Sequence, residues 1–193
     1  MKFLHLFLLV VSVSFSSTAP RSGSKSYAYE KVLDADGTFI MRWTPDFEAS
    51  RVDFEFEVMT TGWIGVTFLP PLDLGKFADT IVAGVLDDGT AYMQDRYTDT
   101  SIPEPGTPRP MDTQQDWPII YAEEANGRTI IQTSRAFDTN DPEDRPVIKD
   151  ETLVFAWAFD DVDIVEGEPP FHGPSRGSVL LNLLYPEKTF KLL

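Results

Sequence analysis

The sequence predicts an all-β protein, an antiparallel β-sandwich of about nine or more strands, on three observations. Apolar and polar residues alternate at a period of two, most clearly in Val52-Asp53-Phe54-Glu55-Phe56-Glu57-Val58. Turn signals separate such runs at the spacing of short strands. After Pro20 no stretch carries apolar residues at convincing helical spacing. The composition agrees: 193 residues suit one domain, and fourteen Phe, six Tyr and four Trp favour strands.

The chain begins differently. Lys2 precedes a nearly unbroken apolar run, Phe3 to Val13, and small residues follow to Ala19. This is the layout of a secretory signal peptide, assigned to residues 1–19. The run is shorter than the roughly 20 residues that cross a bilayer, so no membrane span is expected. Residues 20–28 are Ser-rich and basic and read as a loose leader. The folded domain is expected over 29–186, with a tail at 187–193.

Leu33 and Phe39 bracket Asp36-Gly37, a hairpin signal, and Phe39, Met41 and Trp43 alternate beyond it. Val52 to Val58 follows, read as a half-buried strand whose three acids face water. Trp63 to Phe68 is next, closed by Pro70-Pro71. Thr80 to Val85 and Thr90 to Arg96 flank the turn Asp87-Asp88-Gly89. Proline lacks a backbone donor, so Thr98 to Met111, with four prolines from Pro103 to Pro110, is a surface loop. Trp117 to Glu123 and Arg128 to Ser134 flank Asn126-Gly127, the strongest short hairpin signal. Leu153 to Phe159 is an apolar run expected to be buried on both sides. Asp160 to Pro174 is an acidic loop, and Val179 to Leu184 is the last strand.

Net charge is −15, and because Lys2 is the only formally charged residue in 1–19, the shortened chain carries −16. Such a surface repels nucleic acid and anionic membranes and favours cations or basic partners. There is no cysteine, so thiol chemistry and cysteine-ligated metals are excluded. No Asn-x-Ser/Thr acceptor site is present.

Beyond the signal segment there is one histidine, His172. No Gly-x-Ser-x-Gly elbow or phosphate-cradling glycine loop accompanies it, and multi-imidazole copper or zinc sites are ruled out. Carboxylates are abundant enough to leave a paired-acid hydrolase open. Asp138-Thr139-Asn140-Asp141 begins like a calcium loop, but Pro142 and Glu143 stand where an EF-hand needs an acid or Asn and then Gly. It reads as a capped acidic turn. Trp63, Trp117, Trp157 and Tyr92 are assigned to the core rather than to a sugar platform.

Six pieces in order resemble a known family. They are Gly62 to Phe68; Phe77-Ala78-Asp79-Thr80-Ile81-Val82-Ala83-Gly84; Ala91 to Tyr97; Asp112-Thr113-Gln114-Gln115-Asp116-Trp117; Arg135 to Asp144; and His172 to Ser178. Together they resemble a DOMON domain, most like the one that precedes the copper domains of dopamine beta-monooxygenase-type proteins. The resemblance implies an immunoglobulin-like sandwich, in agreement with the strand count. The copper ligands of those enzymes lie in other domains, so a chain ending at Leu193 is expected not to be an enzyme. The resemblance further implies a calcium-like divalent cation held by Asp79, the carbonyls of Thr80 and Arg96, and Asp116. Haem-binding members use a Met and a His. Here Leu74-Gly75-Lys76-Phe77 lacks the Met and only His172 is available, so haem is not expected. The expected function is a secreted, non-catalytic binding or matrix module with an extracellular ligand or protein partner, carbohydrate and mineral surfaces included. The alternatives are a haem electron-transfer protein and an acidic biomineral matrix component.

Overall fold

The computed structural model describes residues 25–70, 78–97 and 109–189. Its strands are β1 (Tyr29–Val32), β2 (Phe39–Asp46), β3 (Arg51–Val58), β4 (Ile64–Leu69), β5 (Asp79–Val85), β6 (Ala91–Tyr97), β7 (Ile119–Ala125), β8 (Arg128–Ala136), β9 (Leu153–Phe159) and β10 (Arg176–Leu181). They form two five-stranded antiparallel sheets, ordered β1-β2-β3-β8-β7 and β10-β9-β4-β5-β6. The described residues hold no α-helix, only a 3-10 turn at Pro186–Lys188. The expected sandwich is the one observed, with strand ends shifted by up to three residues. None of the described helices is long and apolar enough to cross a membrane. The expected signal segment lies outside the described residues.

The turns follow their chemistry. Asn126 and Gly127 both take positive φ, 56° and 72°, as a two-residue hairpin between right-twisted strands requires. At the first hairpin the Asp34 carboxylate accepts the N–H groups of Thr38 and Phe39 at 2.9 and 3.0 Å. Of the expected loose leader, residues 25–28 are tied down. Lys25 pairs with Asp53 and Ala28 N–H donates to Thr44 Oγ1.

Period-two alternation fills the space between the sheets. Met41, Trp43, Phe54, Phe56 and Ile131 from one sheet meet Val66, Phe68, Ile81, Phe155 and Trp157 from the other. Trp157 turns its ring over Gly177, where an added Cβ would stand 2.6 Å from a ring carbon. Trp43 Nε1 donates to the Leu183 carbonyl at 2.9 Å, which docks the chain after β10 against the core. All three tryptophans assigned to the core among Trp63, Trp117 and Trp157 are buried.

Two expectations need correction. The acids of β3 do not face water: Asp53, Glu55 and Glu57 are 5–7% exposed. β3 is the central strand of its sheet, and neighbours fold over its outer face. Arg42 bridges Glu55 and Glu57 at 2.7 Å each, Gln132 donates to Glu55, and Arg51 and Lys25 pair with Asp53. Long cationic side chains cover carboxylates as effectively as apolar ones would. In β9 only Leu153, Phe155 and Trp157 are fully buried, because Val154, Ala156 and Ala158 take the outer face of the sheet, which no helix covers among the described residues.

Replacing Trp157 by Ala leaves a cavity between the sheets and is expected to cost about 3–5 kcal/mol. Urea unfolding checks this, and a change below about 1 kcal/mol would show that β9 is not central to the core.

Candidate metal centre

The strand directions bring the β2–β3 turn and the flanks of the β4–β5, β6–β7 and β8–β9 connections to one end of the sandwich. Its apolar floor is Trp117, buried and stacked on Phe68 at 5.6 Å. The Arg135 guanidinium lies over the Trp117 ring at 5.6 Å. Arg135 is inward because Ile131, Thr133 and Arg135 share one face of β8. Asp79 is inward because it shares a face of β5 with Ile81. The two meet across the sandwich as an ion pair of 2.5 Å, each side chain 1% exposed.

Two further carboxylates crowd this pair. Asp95 lies beside Asp79 on the same inner face, since Ile81 is the cross-strand partner of Asp95. Asp144, from the β8–β9 connection, stands 3.2 Å from Arg135 and has a nearly buried side chain. One oxygen from each of Asp79, Asp95 and Asp144 lies within 4.8 Å of the others. Arg135 is the cation paired with them among the described residues. Asp79 Oδ1, Asp95 Oδ1 and Asp144 Oδ2 are buried and accept no hydrogen bond.

The electrostatics follow. Burial pushes the Asp95 carboxyl up to about 8, and the Asp79 charge adds to this, while the Asp116 N–H that Asp95 accepts pulls it back. Burial likewise raises Asp79 to about 6 against the pull of Arg135. Asp144 is raised too, first by burial. Such a nest carries more negative charge than Arg135 balances, so it holds either protons or a cation.

Of the residues that the sequence put forward, Asp79 sits in this nest. Thr80 and Arg96 are cross-strand partners next to Asp79 and Asp95. The Thr80 hydroxyl meets Thr67, and the Arg96 guanidinium points to the outer face, bound by Gln94, the Gly167 carbonyl and Glu168. Asp116 comes in through its main chain, donating to Asp95, while its carboxylate accepts from the Gln114 side chain at 2.8 Å. Gln115 acts as a substitute strand: its side chain accepts from Asp95 N–H and donates to the Asp95 and Asp112 carbonyls. Sequence reasoning missed Asp95, Asp144 and Arg135. The alternation of β6 and β8 carried a signal for Asp95 and Arg135, polar residues at inward positions. The expected capped turn at Asp138–Asp141 is present, with Asp138 accepting from Asn140 N–H at 2.9 Å.

His172 lies at the other end of the sandwich, between Phe171 at 4.5 Å and Trp63 at 6.5 Å, and its Nδ1 is 3.1 Å from the Gly173 carbonyl. The segment where a haem-binding member would place its Met, Leu74 to Phe77, lies outside the described residues and contains no Met. Met93 packs against the core. These residues do not supply the ligand pair that haem requires.

The fold and the site define a two-sheet antiparallel sandwich with a carboxylate nest at one end. The family follows from comparison: the DOMON domain pattern matches residues 35–160, and the chain belongs to the DOMON family. The mouse DBH-like monooxygenase protein 1 is 35% identical over 94% of this chain. The human protein of the same name is 32% identical over 94% of it. The chain spans 28% of the length of each of these relatives. The cytochrome b domain of pyranose dehydrogenase from Coprinopsis cinerea superposes with a TM-score of 0.54 at 16% identity, covering 81% of this chain and 87% of that one. The cytochrome domain of Myriococcum thermophilum cellobiose dehydrogenase gives 0.53 at 13% identity, covering 79% of this chain and 77% of that one. At these identities the two structures speak for the fold alone.

Two outcomes are expected. Arg135→Met leaves the carboxylates uncompensated and should cost about 3–5 kcal/mol in chemical unfolding at neutral pH without divalent ions; an unchanged midpoint would argue against the pair. Because the Asp95 and Asp79 carboxyls are raised in the folded state, their contribution is complete below the ordinary carboxylate range and is lost as pH rises through about 6 and about 8. Melting temperature in EDTA should therefore fall between about pH 5 and pH 8, and Asp95→Asn should flatten the slope. A rise over that range would overturn the assignment.

Proposed function

We propose that the chain is a secreted, non-catalytic DOMON module whose loop end is closed by a hard divalent cation such as calcium. The observation that carries this reading is the trio of buried carboxylates Asp79, Asp95 and Asp144, of which Asp79 Oδ1 and Asp95 Oδ1 accept no hydrogen bond and Asp144 Oδ2 meets Arg135 at 3.2 Å. Calcium takes six to eight oxygens and tolerates irregular geometry, which suits carboxylates from two strands and a loop. In this reading the main-chain carbonyls of Thr80 and Arg96, each next in the chain to a strand acid, would complete the oxygen set. The charge of Asp116 acts on Asp144 and adds to the attraction. When bound, the ion supplies the positive charge that otherwise comes from protons.

The ion here is structural. The lone histidine beyond the signal segment lies at the opposite end, so no imidazole assists the carboxylates in acid–base work. The strongly acidic surface favours a basic protein or a cation-bearing extracellular surface as partner. Secretion rests on the amino-terminal segment, and the absence of cysteine gives a bound ion the stabilising role that disulfides play in many secreted domains.

The unfolding temperature of the full chain, secreted and stripped of metal, should rise in calcium. At a hundred times the dissociation constant the gain is about 2.7 kcal/mol, or about 5–10 °C for a chain of this size. Asp79→Asn should abolish the rise. Equal melting in calcium and in EDTA would remove the ion from the account and leave the fold assignment standing.

A further inference from the structure

A second group of acids stands beside the nest and shares no side chain with it. Asp112 lies within the β6–β7 connection and is fastened to β6, where its N–H donates to the Asp95 carbonyl at 2.9 Å. Its side chain is directed inward, and the residue is 4% exposed. Asp112 Oδ1 accepts the Gln114 N–H at 3.0 Å. Asp112 Oδ2 is buried and receives no N–H or hydroxyl donor; the group it meets is the Glu143 carboxyl. Facing it are two acids from the turn that follows β8. Asp141 accepts the Glu143 N–H through Oδ1 at 2.8 Å, and Glu143 reaches from the surface to Asp112. One carboxylate oxygen from each of Asp112, Asp141 and Glu143 lies within 4.8 Å of the others. No lysine or arginine among the described residues forms an ion pair with any of the three.

The buried Asp112 oxygen separates this group from an ordinary acidic surface. A carboxylate that is taken out of water and then faced with two more carboxylates is unfavourable unless a cation or a shared proton lies between them. Solvated surface acids would instead turn away from one another, and Glu143 has the length and exposure to do so. Three anionic oxygens from two separate loops, with an open side toward solvent through which water can complete the shell, suit a hard oxygen-seeking cation. An imidazole- or thiolate-seeking ion finds no ligand here.

We infer that Asp112, Asp141 and Glu143 form a second divalent-cation position of the calcium type. Its ion straps the turn at Asp138 to Glu143 onto the segment that carries Asp112. Asp144, a ligand of the first position, is the next residue in that turn, so filling the second position fixes the loop that closes the first. The outer ion is the more exposed and exchanges faster, and the inner ion is retained longer. The second position uses none of the carboxylates of the first and stands independently of whether that position fills.

Calorimetric titration of the full, metal-stripped chain with calcium chloride, with native mass spectrometry to count bound ions, tests the inference. The wild-type chain should bind two ions. Glu143→Gln, a surface change that leaves the core untouched, should bind one, or bind its weaker ion at least tenfold less tightly. Asp79→Asn should keep the ion that Glu143→Gln loses. A wild-type chain with one ion that Glu143→Gln leaves unaltered would overturn the second position and keep the first. One ion lost in Glu143→Gln but kept in Asp79→Asn would support the second position and overturn the first. No binding in the wild type would overturn both.

Discussion

The ion pair between Asp79 and Arg135 governs how this sandwich ends. Each partner sits at an inward position of a different sheet, and neither is reached by water. Alone, either charge would be among the most costly features of the molecule. Together they tie the sheets at the point where the apolar filling stops, and Trp117 beneath the guanidinium marks that boundary. Asp95 and Asp144 then exceed what one arginine can neutralise. The nest is therefore a consequence of where the core runs out, built from residues whose alternation would elsewhere have placed a Val or an Ile.

Much of the fold was legible in the sequence. Alternation is a local property, and in β2 and β3 it gave the inward residues directly. Asn126-Gly127 was legible because few residues accept positive φ in succession. The outer face of β3 was not. Asp53, Glu55 and Glu57 look like a wetted stripe, and only the neighbours at Arg42, Arg51 and Gln132 reveal that the stripe is roofed. Pattern reports which face a residue takes, and sheet order decides what lies over that face.

The candidate site divides in the same way. Asp79 came from a family likeness, and the structure gives it a physical role. Asp144 ends one of the family-like pieces, but its role was not legible, because its place depends on how a connection of irregular backbone folds back toward Asp79 and Asp95. Asp116 and Gln115 illustrate the difference between a motif and its chemistry. What the Gln-Gln-Asp stretch contributes is support for β6: the Gln115 side chain imitates a neighbouring strand, and the Asp116 amide holds Asp95 in place.

The ion pair also has a kinetic consequence. Asp79 and Arg135 are 56 residues apart in the chain, whereas β2 and β3 meet through a tight turn. Closing a loop of that length is entropically costly, so contacts of this kind assemble after the local hairpins. Until then each aspartate is an ordinary solvated acid with no special avidity. The nest exists only once both sheets have docked, so a folding chain does not capture ions in a half-made arrangement.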